Sequence, residues 1–502
     1  MKILFIKPYW NSTSANLASP PLGLLYISSS VKQRFPETET KLLDLRFKRN
    51  SSKAVQDVVE DWQPDVVGIL CLSGDEFEIV SISKAIKEIA PGIHICCGGP
   101  YPTHSPEEFN RLADVDSIIR GEGEKSFCDL IQRIKSQNKP PQPVQGVSFR
   151  NASGIIETPE YSCPTKNPDD IPFPDWDLID IDLYSNTPQF NSVMAGNRYM
   201  VVFTSRGCPF NCIYCHNIFG KKVRGRSPEN VVSEIEYLVK QYNIDEIQVV
   251  DDFFNYDRSR IIRICDLIIE KKIKIKICFP NGVRGDMLDK ELIIKLKLAG
   301  AYMITFAIET ASERLQSVIK KNLNIAKTID AIKYSNRLGL LTRCFFIIGF
   351  PTETEDEIKK TIRLAASLPL TTFSIFQATP FKGTELHRLV RKTSTIQGIE
   401  SLENPTGSFF APNTFFSLDT GISLRKYIFI AYFMFFSPYR LIRFFIKIPK
   451  KIKYMKQLSS SISIGFMPRE TKKINTTTND QNKTTKKNKL FKYLKASTIN
   501  KL

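Results

Sequence analysis

Short apolar runs alternate with longer amphipathic stretches over the first 140 residues of the chain. The stretch 77–89 has apolar residues at helical spacing and is typical of the segments between the runs. Strands that alternate with helices form parallel sheets with helices on both faces. The pattern therefore predicts a doubly wound α/β domain of the flavodoxin or Rossmann kind, with strands at 2–7, 41–46, 65–72, 93–98 and 115–120.

A second series of strand and helix units begins near residue 200. A helix predicted over 229–241 has Pro228 in its first turn, where proline is favoured. The six predicted strands lie at 200–205, 245–251, 274–279, 302–308, 341–348 and 371–377. Six units instead of eight predict a partial (β/α)6 barrel of the TIM type, whose functional side chains gather at the carboxyl ends of the strands.

The remaining segments differ from these two domains in composition. Pro, Asn, Asp and Ser are frequent after residue 138, which predicts a connecting strap. Lys, Asn, Thr and Ser dominate the last residues, which are too polar for a core and are predicted to be disordered. We expect a first domain at 1–138, the strap at 139–197, the barrel at 198–390, a C-terminal helical region at 391–456 and a basic tail at 457–502.

Net positive charge is concentrated at the carboxyl terminus. The 502 residues carry a formal charge of +18. From Ser437 onward, 17 Lys and Arg face two acids, a balance of +15, so the preceding 436 residues contribute only +3. A nucleic-acid enzyme would line its cleft with basic residues. We therefore expect no nucleic-acid partner.

Cysteine usage and the amino terminus indicate a reducing compartment. Eleven cysteines are an odd number in a chain too long for a disulfide-stapled mini-domain, and most of those outside the cluster motif lie in apolar patterns. The chain starts at once with a strand pattern and lacks the sections of a signal peptide. We expect a cytoplasmic protein, with peripheral attachment to the inner face of a membrane left open.

Three cysteines, Cys208, Cys212 and Cys215, follow the first predicted barrel strand. Their spacing lets one short loop direct three thiolates at one centre. A closed zinc site needs four ligands, and His216, the neighbour of Cys215, would serve as the fourth only with strain. Three thiolates on a 4Fe–4S cluster leave one iron open for another ligand. We therefore favour an iron–sulfur cluster over zinc.

In this motif the chain resembles the radical S-adenosylmethionine (SAM) enzymes, whose C-x3-C-x2-C loop follows the first strand of a parallel barrel. The resemblance spans residues 1 to about 450. It implies that SAM binds the open iron and is cleaved reductively to a 5'-deoxyadenosyl radical, with an electron donor such as flavodoxin or ferredoxin. The resemblance predicts SAM contacts from Tyr214 on the cysteine loop, from Asp251 or Asp252, Glu309 and Gly349 at strand ends, and from Arg343 inside its strand.

Glycine-rich loops follow strands of the first domain. Glycine after a strand lets a ligand approach the backbone, although ordinary tight turns have the same composition. Ahead of a radical SAM barrel, the order of these loops resembles the cobalamin-binding domain of the B12-dependent members of the family. The resemblance implies cobalamin contacts from Ser73, Gly98, Gly99, Pro100, Gly121, Glu122 and Gly123.

The D-x-H-x-x-G motif, whose histidine ligates cobalt in other B12 proteins, is absent after the first predicted strand. Many members of the radical SAM subgroup share that absence, which implies a cobalt without a protein histidine beneath it. His94 lies inside a predicted strand and His104 at a predicted helix start. Both are poor substitutes for the missing ligand.

The two cofactor domains together imply a B12-dependent radical SAM enzyme that methylates an unactivated carbon of a small molecule or lipid. Arg284 and Gln377, at the ends of two barrel strands, are the residues that we expect in the substrate cavity. Cobalamin-dependent cyclisation or oxidoreduction without methyl transfer, as in anaerobic tetrapyrrole cyclases, is the nearest alternative. A non-catalytic cobalamin or iron–sulfur sensor is the alternative from another class.

Residues 424–455 are both aromatic and basic. Their uncharged run, 427–436, is shorter than the roughly 20 residues needed to cross a bilayer. Phe and Ile mixed with Arg and Lys are typical of a helix at an anionic membrane surface. A helical cap on the barrel, with solvated charges, is the alternative, and the sequence leaves both open.

Overall fold

The computed structural model describes residues 1–9, 19–48, 50–72, 75–136, 144–154, 156, 161–189, 191, 193–216, 218–393 and 422–456. The described residues belong to one compact unit. The predicted tail, 457–502, lies outside the described residues, as does Ser73, one of the predicted cobalamin contacts.

The first domain is a six-stranded sheet with helices on both faces. Its strands are β1 Lys2–Lys7, β2 Glu39–Asp44, β3 Val66–Leu70, β4 His94–Gly98, β5 Ser117–Ile119 and β6 Val147–Phe149. Its helices are α1 Leu22–Arg34, α2 Ser51–Trp62, α3 Glu76–Ile89, α4 Pro100–His104 and α5 Gly123–Lys135. The strand order is β2-β1-β3-β4-β5-β6, with the first five strands parallel. The predicted doubly wound domain is confirmed.

Alternate residues of β1 pack into different cores on the two faces of this sheet. Leu4 and Ile6 join one buried cluster, and Ile3 and Phe5 join the other, as the two-residue period of a strand requires. Strand β6 pairs antiparallel with β5. It lies where the sequence predicts only a connecting strap, because three residues are too short to give a periodic signal.

The second domain is a barrel of six parallel strands. Its long strands are β7 Tyr199–Val202, β10 Glu246–Val249, β11 Lys276–Val283, β12 Ala301–Glu309, β13 Leu341–Ile348 and β14 Thr372–Gln377, and a short ribbon pairs β8 Ser205–Arg206 with β9 Arg224–Gly225. The order β14-β13-β12-β11-β10-β7 has the two outer strands unpaired with each other. The predicted partial (β/α)6 barrel is confirmed.

One helix, α6 Ile181–Asn186, lies in the strap before the barrel, and the other helices cover the outside of the barrel. These other helices are α7 Pro228–Tyr242, α8 Arg258–Glu270, α9 Lys290–Leu298, α10 Glu313–Val318, α11 Ile325–Arg337, α12 Glu355–Ser367 and α13 Glu385–Thr393. Helix α7 begins as predicted, because the Ser227 side chain accepts a hydrogen bond from the Asn230 backbone and Pro228 occupies the first turn.

The pleat of β13 separates the barrel interior from the helix layer. Cys344, Phe346 and Ile348 join the large core shared with the helices. The alternate residues Phe345 and Ile347 belong to a separate interior cluster near the carboxyl ends of the strands. Side chains on this second face are therefore the ones that surround the barrel mouth.

Two further helices, α14 Arg425–Phe435 and α15 Pro438–Lys447, follow the barrel. Tyr427, Ala431 and Phe435 of α14 are buried in the core beside α12. Phe444 of α15 packs on Leu341, the first residue of β13, at the amino end of the strands. Within the described residues, no single helix is long and apolar enough to cross a membrane, whereas α14 and α15 satisfy that length and composition as a pair bent by 68°.

Candidate active site

The three motif cysteines lie on a loop that the β8–β9 ribbon closes at its base. Gly207 has φ +92°, and a Cβ there would collide with the Lys222 carbonyl, so only glycine fits. The Cys208 backbone N–H donates to the Gly220 carbonyl at 3.1 Å, and the Cys215 N–H donates to Cys212 at 3.2 Å. The loop thus holds its cysteines in place through backbone hydrogen bonds.

The chemistry of this donor set fits a 4Fe–4S cluster. Cys208 and Cys212 are half-buried and Cys215 is exposed, all at the mouth of the barrel. A cluster takes each thiolate on a different iron, so the sulfurs need not converge on one point. Among the described residues, no group of three or more His, Cys, Asp or Glu side chains is arranged to hold a single metal ion.

Glu309, at the end of β12, connects the cysteine loop to the barrel wall. Its carboxylate accepts from the Lys321 ammonium at 2.9 Å and from the Tyr214 hydroxyl at 3.2 Å. Glu309 and Lys321 are both buried. Burial would lower the pKa of Lys321, but the Glu309 carboxylate raises it above its usual value. Tyr214 and Glu309, predicted separately as SAM contacts, therefore lie together.

The backbone of Glu309 is in the left-handed region, with φ +67°. Such a conformation is unfavourable for a residue with a side chain and is concentrated at functional sites. The pairing between β12 and β13 shifts register between Ala307 and Glu309. The irregular strand end therefore directs this one carboxylate into the barrel mouth.

Asp251 and Asp252 have different environments at the end of β10. The Asp251 carboxylate accepts from the Thr204 backbone N–H at 2.6 Å and from the Ser205 hydroxyl at 2.7 Å. These bonds fasten β10 to the strand end before the cysteine loop. Desolvation raises the pKa of Asp252 to about 6, and its charge acts on Cys208. Of the two predicted aspartates, Asp252 is the one beside the cysteines.

Gly349 forms a tight turn after β13, with φ +87°. A Cβ there would come within 2.5 Å of the Leu424 side chain. The carboxyl group of Glu353, which is fully buried, accepts from the Gly349 and Phe350 backbone N–H groups at 2.5 and 3.2 Å. Burial raises the pKa of Glu353 to about 8. The turn at this predicted SAM contact is therefore held by the hydrogen bonds from its backbone to Glu353.

Arg343 lies deeper in the barrel than the other predicted SAM residues. It pairs in register with Thr305, whereas Glu309 pairs with Phe346, three residues closer to the carboxyl end of β13. Its guanidinium donates to the Ser374 hydroxyl at 2.9 Å. Burial lowers the pKa of Arg343 to about 10. The structure does not bring Arg343 together with Tyr214 and Glu309.

The two predicted substrate residues have different surroundings. The Arg284 guanidinium pairs with Asp286 at 2.8 Å. It also stacks 4.0 Å from the ring centroid of Phe210, which lies on the cysteine loop, so Arg284 packs against that loop. Gln377 is buried on the strand face that it shares with Phe373, which packs against the helix layer. The prediction treated both positions as open strand ends, and the sequence did not reveal these neighbours.

The glycine loops of the first domain lie at the carboxyl edge of its sheet. Gly99 and Gly121 have positive φ, and a Cβ at either would press on the chain itself, at Cys71 and Ser162. Gly98 is different, since nothing lies closer than 4.0 Å to its added Cβ. Tight turns thus explain the first two glycines, whereas an added Cβ at Gly98 would make only an ordinary van der Waals contact with Ile119.

Three further predicted cobalamin contacts have structural partners. Pro100 begins α4. Gly123 begins α5 and lies against Ile27. Glu122 is buried and pairs with Arg206 at 2.9 Å and with Arg224. Its carboxylate is therefore engaged by the barrel domain and is not directed at an open groove.

Sequence reasoning missed the buried ion cluster that joins the two domains. Arg206, directly before the cysteine loop, pairs with Glu122 and also with Glu124 at 2.6 Å. Burial would lower the pKa of Arg206, but the two carboxylates raise it. The adjacent Arg-Gly-Cys sequence marks Arg206 as close to the site, yet no local signal identifies partners more than 80 residues away.

Two histidines meet where the domains face each other. His104, at the end of α4, lies with its ring centroid 4.6 Å from that of His216, which follows Cys215. Desolvation lowers the pKa of His216 to about 4 and lowers that of His104, so both rings are neutral at pH 7. His104 Nε2 and His216 Nδ1 are buried with no hydrogen-bond partner among the described residues.

Two parts of the chain match known domain families. Residues 202–365 match the radical SAM superfamily, and residues 12–131 match the B12 binding domain. A protein of Pyrococcus horikoshii named uncharacterized methyltransferase PH0819 is 32% identical over 392 residues, which cover 77% of this chain and 82% of that protein. The chain belongs to the radical SAM superfamily. Within it, this radical SAM enzyme carries an N-terminal B12-binding domain, and its cofactors are a 4Fe–4S cluster, SAM and cobalamin.

Two other proteins resemble this radical SAM enzyme over most of its length. The cytidylyl-2-hydroxyethylphosphonate methyltransferase of Streptomyces wedmorensis is 28% identical, covering 77% of this chain and 80% of that protein. A structure of the cobalamin-dependent SAM radical enzyme OxsB, with aqua-cobalamin and SAM bound, has a TM-score of 0.65 and 20% identity. It covers 80% of this chain and 62% of that one, and it supports the fold alone.

Proposed function

We propose that this enzyme uses cobalamin to methylate an unactivated carbon of a small molecule or lipid. The observation that carries the proposal is the contact of His104 with His216, since it places the loop after β4 beside the cysteine loop. A methyl donor bound at the loop after β4 and a radical source bound at the cysteine loop would then share one space. The names of the two relatives, both methyltransferases, support the same reaction class.

The residues of the chain would bind and orient the cofactors. When bound, the cluster and SAM supply a 5'-deoxyadenosyl radical and cobalamin supplies a methyl group. Asp252 and Glu309, with the Tyr214 hydroxyl, offer acceptors for the polar groups of SAM beside the cluster. The residues that would hold the cluster are Cys208, Cys212 and Cys215.

Apolar side chains would protect the radical chemistry from water. Phe345, Ile347 and Phe376 are buried together on the interior face at the carboxyl half of the barrel, and Phe345 packs edge-on against Phe376. A closed apolar surrounding prevents side reactions of a reactive intermediate. This lining supports a substrate that presents carbon, not charge, to the reacting centre.

We also propose a reducing cytoplasmic setting, an electron donor of the flavodoxin or ferredoxin kind, and peripheral contact with a membrane through residues 424–455. The eleven cysteines are free thiols in the structure, which supports a reducing compartment. Exposed apolar and aromatic side chains on α14 and α15, and the exposed Arg425 and Lys426 at the start of α14, support the membrane contact.

The cofactor assignment is tested by anaerobic reconstitution with iron, sulfide and hydroxocobalamin. We expect iron, bound corrinoid, and 5'-deoxyadenosine from SAM under a strong reductant. Cys208→Ala is expected to lose the cluster and the deoxyadenosine. Cys163→Ala, which changes an exposed cysteine outside the motif, is the matched control and is expected to retain both. Iron retention by Cys208→Ala equal to the control would contradict the assignment.

The methylation itself is tested by the products formed from SAM in the presence of substrate-containing extract. Methyl transfer through cobalamin consumes one SAM as methyl source and one as radical source, so S-adenosylhomocysteine and 5'-deoxyadenosine should accumulate together. Deoxyadenosine without S-adenosylhomocysteine would favour the cyclisation alternative. Deoxyadenosine without bound corrinoid would reject the methylation proposal and leave the radical chemistry standing.

A further inference from the structure

Helix α15 directs its basic side chains toward the protein and its apolar side chains outward. Arg440 and Arg443 are half-buried and donate to the Ala366 carbonyl and to an amide oxygen at the end of α11. Ile442 and Ile446, on the other side, are 62% and 70% exposed. A helix on a water-exposed surface has the opposite arrangement. The outer face of α15 therefore suits an apolar surrounding.

The exposed apolar surface continues on α14. Phe429 and Phe433 are 70% and 77% exposed and stack on one another with ring centroids 6.4 Å apart. Residues 424–456 contain no Asp or Glu, and Lys450 and Lys451 lie exposed after α15. Exposed Phe and Ile flanked only by cations match the interface of an anionic bilayer.

A cavity of about 170 Å³ lies under α15, against the carboxyl ends of α11 and α12. Its lining includes the cations of Arg440, Arg443 and Lys447 and the polar side chains of Asn336 and Ser367, and no carboxylate. The ends of helices carry partial negative charge, which does not neutralise three cations in full. The cavity is thus a basic pocket with three cationic side chains and no anionic side chain in its lining.

The basic pocket contains an unused hydrogen-bond donor. Arg440 Nη1 is buried and has no hydrogen-bond partner among the described residues. Burial and the neighbouring charge of Arg443 lower the pKa of Arg440 and of Lys447. A phosphate group would satisfy the free guanidinium donor and relieve the repulsion between the cations, because guanidinium groups bind phosphate with charge-assisted hydrogen bonds.

We propose that this basic pocket binds the phosphate of an anionic phospholipid while the exposed side chains of α14 and α15 enter the membrane interface. The inference rests on the proposed membrane contact and adds a headgroup site to it. Phe444 packs at the amino ends of the strands, so the pocket lies at the end of the barrel opposite the cysteine loop. The lipid therefore attaches the enzyme to the membrane and does not enter the reaction.

The pocket is tested by sedimentation of the full-length protein with phosphatidylcholine vesicles, with and without phosphatidylglycerol. Lys451→Gln removes an exposed cation outside the pocket and is expected to weaken binding to anionic vesicles about 5-fold. Arg440→Gln and Lys447→Gln remove a cation inside it. We expect each to weaken binding about 30-fold, because charge-assisted hydrogen bonds to phosphate are lost as well.

The apolar face is tested by Phe433→Ser and Ile446→Ser, which leave every charge of the chain in place. We expect vesicle binding to be lost. Phe77→Ser changes a phenylalanine that is 75% exposed on α3, so it is the matched control and is expected to bind as the parent does. Unchanged binding by both apolar variants would assign vesicle binding to the basic tail alone and overturn the proposal.

Three further outcomes separate the parts of the inference. Pocket variants that bind like Lys451→Gln would overturn the headgroup site and leave the membrane contact intact. Absence of any binding to anionic vesicles would overturn both. Phosphorus NMR tests whether inorganic phosphate binds to the protein without vesicles. Phosphate binding that is lost in Arg440→Gln, together with no binding to vesicles, would identify a soluble phosphate site and overturn the lipid assignment. Deoxyadenosine formation without vesicles should stay unchanged in the pocket variants, which keeps these results independent of the methylation proposal.

Discussion

The buried carboxylate of Glu309 is held by the buried ammonium of Lys321 at 2.9 Å, at the point where the barrel wall meets the cysteine loop. Both side chains are almost completely buried. The Tyr214 hydroxyl, on the cysteine loop, donates to the same carboxylate. Glu309 therefore links the cysteine loop to the end of β12. A SAM molecule bound beside the cluster would lie against the ion pair of Glu309 with Lys321.

Glu309→Gln should weaken SAM binding at least about 10-fold and lower stability by about 3–5 kcal/mol, because the Lys321 charge is left buried without its partner. The double variant Glu309→Gln with Lys321→Met should recover most of the stability, since the unpaired charge is gone. It should not recover SAM affinity. Equilibrium dialysis with the reconstituted protein and urea unfolding measure the two quantities.

Lys320→Met is the matched control for this pair. Lys320 is the preceding residue and forms an exposed ion pair with Glu385, so its removal should cost at most about 1 kcal/mol and leave SAM affinity unchanged. If the double variant bound SAM as tightly as the parent, Glu309 would have only a structural role.

Gly349→Ala should destabilise the protein for two reasons. The residue has φ +87°, and its Cβ would collide with Leu424. Gly339→Ala has nearly the same φ, +83°, with nothing closer than 4.0 Å, so it reports the backbone cost alone, about 1 kcal/mol. We expect Gly349→Ala to cost about 2 kcal/mol more. Adding Leu424→Ala to both variants should remove that excess, and equal losses for the two glycines would refute the close contact.

Glu353 should make stability depend on pH in a defined window. Its pKa is raised from 4.5 to about 8 by burial, so between these values the unfolded chain ionises while the folded protein keeps the proton. The stabilisation is fully present below pH 4.5 and is lost as pH rises toward 8. Glu353→Gln should match the parent near pH 4.5 and exceed it near pH 8 by on the order of 4 kcal/mol. A difference that does not grow with pH, in urea unfolding, would contradict this.

Arg206→Met should loosen the junction of the two domains. It leaves Glu124 buried without its 2.6 Å partner, at a cost of about 3–5 kcal/mol. Arg34→Met breaks the ion pair with Asp129 on the surface of the first domain and should cost at most about 1 kcal/mol. The urea midpoints of the two variants give the comparison. Equal midpoints would show that the cluster at the junction does not hold the domains together.

Much of the architecture follows from local patterns. Alternating apolar runs and amphipathic stretches predicted both parallel sheets, because strand and helix periods are properties of short segments. The order of motifs along the chain predicted the cofactors, since the cysteine spacing and the strand ends are readable without any long-range contact. Strand β6 was missed because three residues carry too little pattern.

The roles of individual charged residues needed the folded chain. Arg284, expected in a substrate cavity, supports the cysteine loop, and Glu122, expected at cobalamin, pairs with arginines of the other domain. Both were correctly placed at strand ends. The partner of a charged residue at a strand end belongs to a segment that is distant in the sequence. Motif spacing does not identify that segment.

The sequence by itself determined the two folds, the cysteine motif and the concentration of charge and aromatic residues after the barrel. Only the tertiary structure decided that Glu309 is paired with Lys321, that His104 meets His216, and that α15 turns its cations inward. The physical reason is that periodicity and motif spacing are local, whereas burial, ion pairing and the direction of a helix face arise only when separate segments pack against each other.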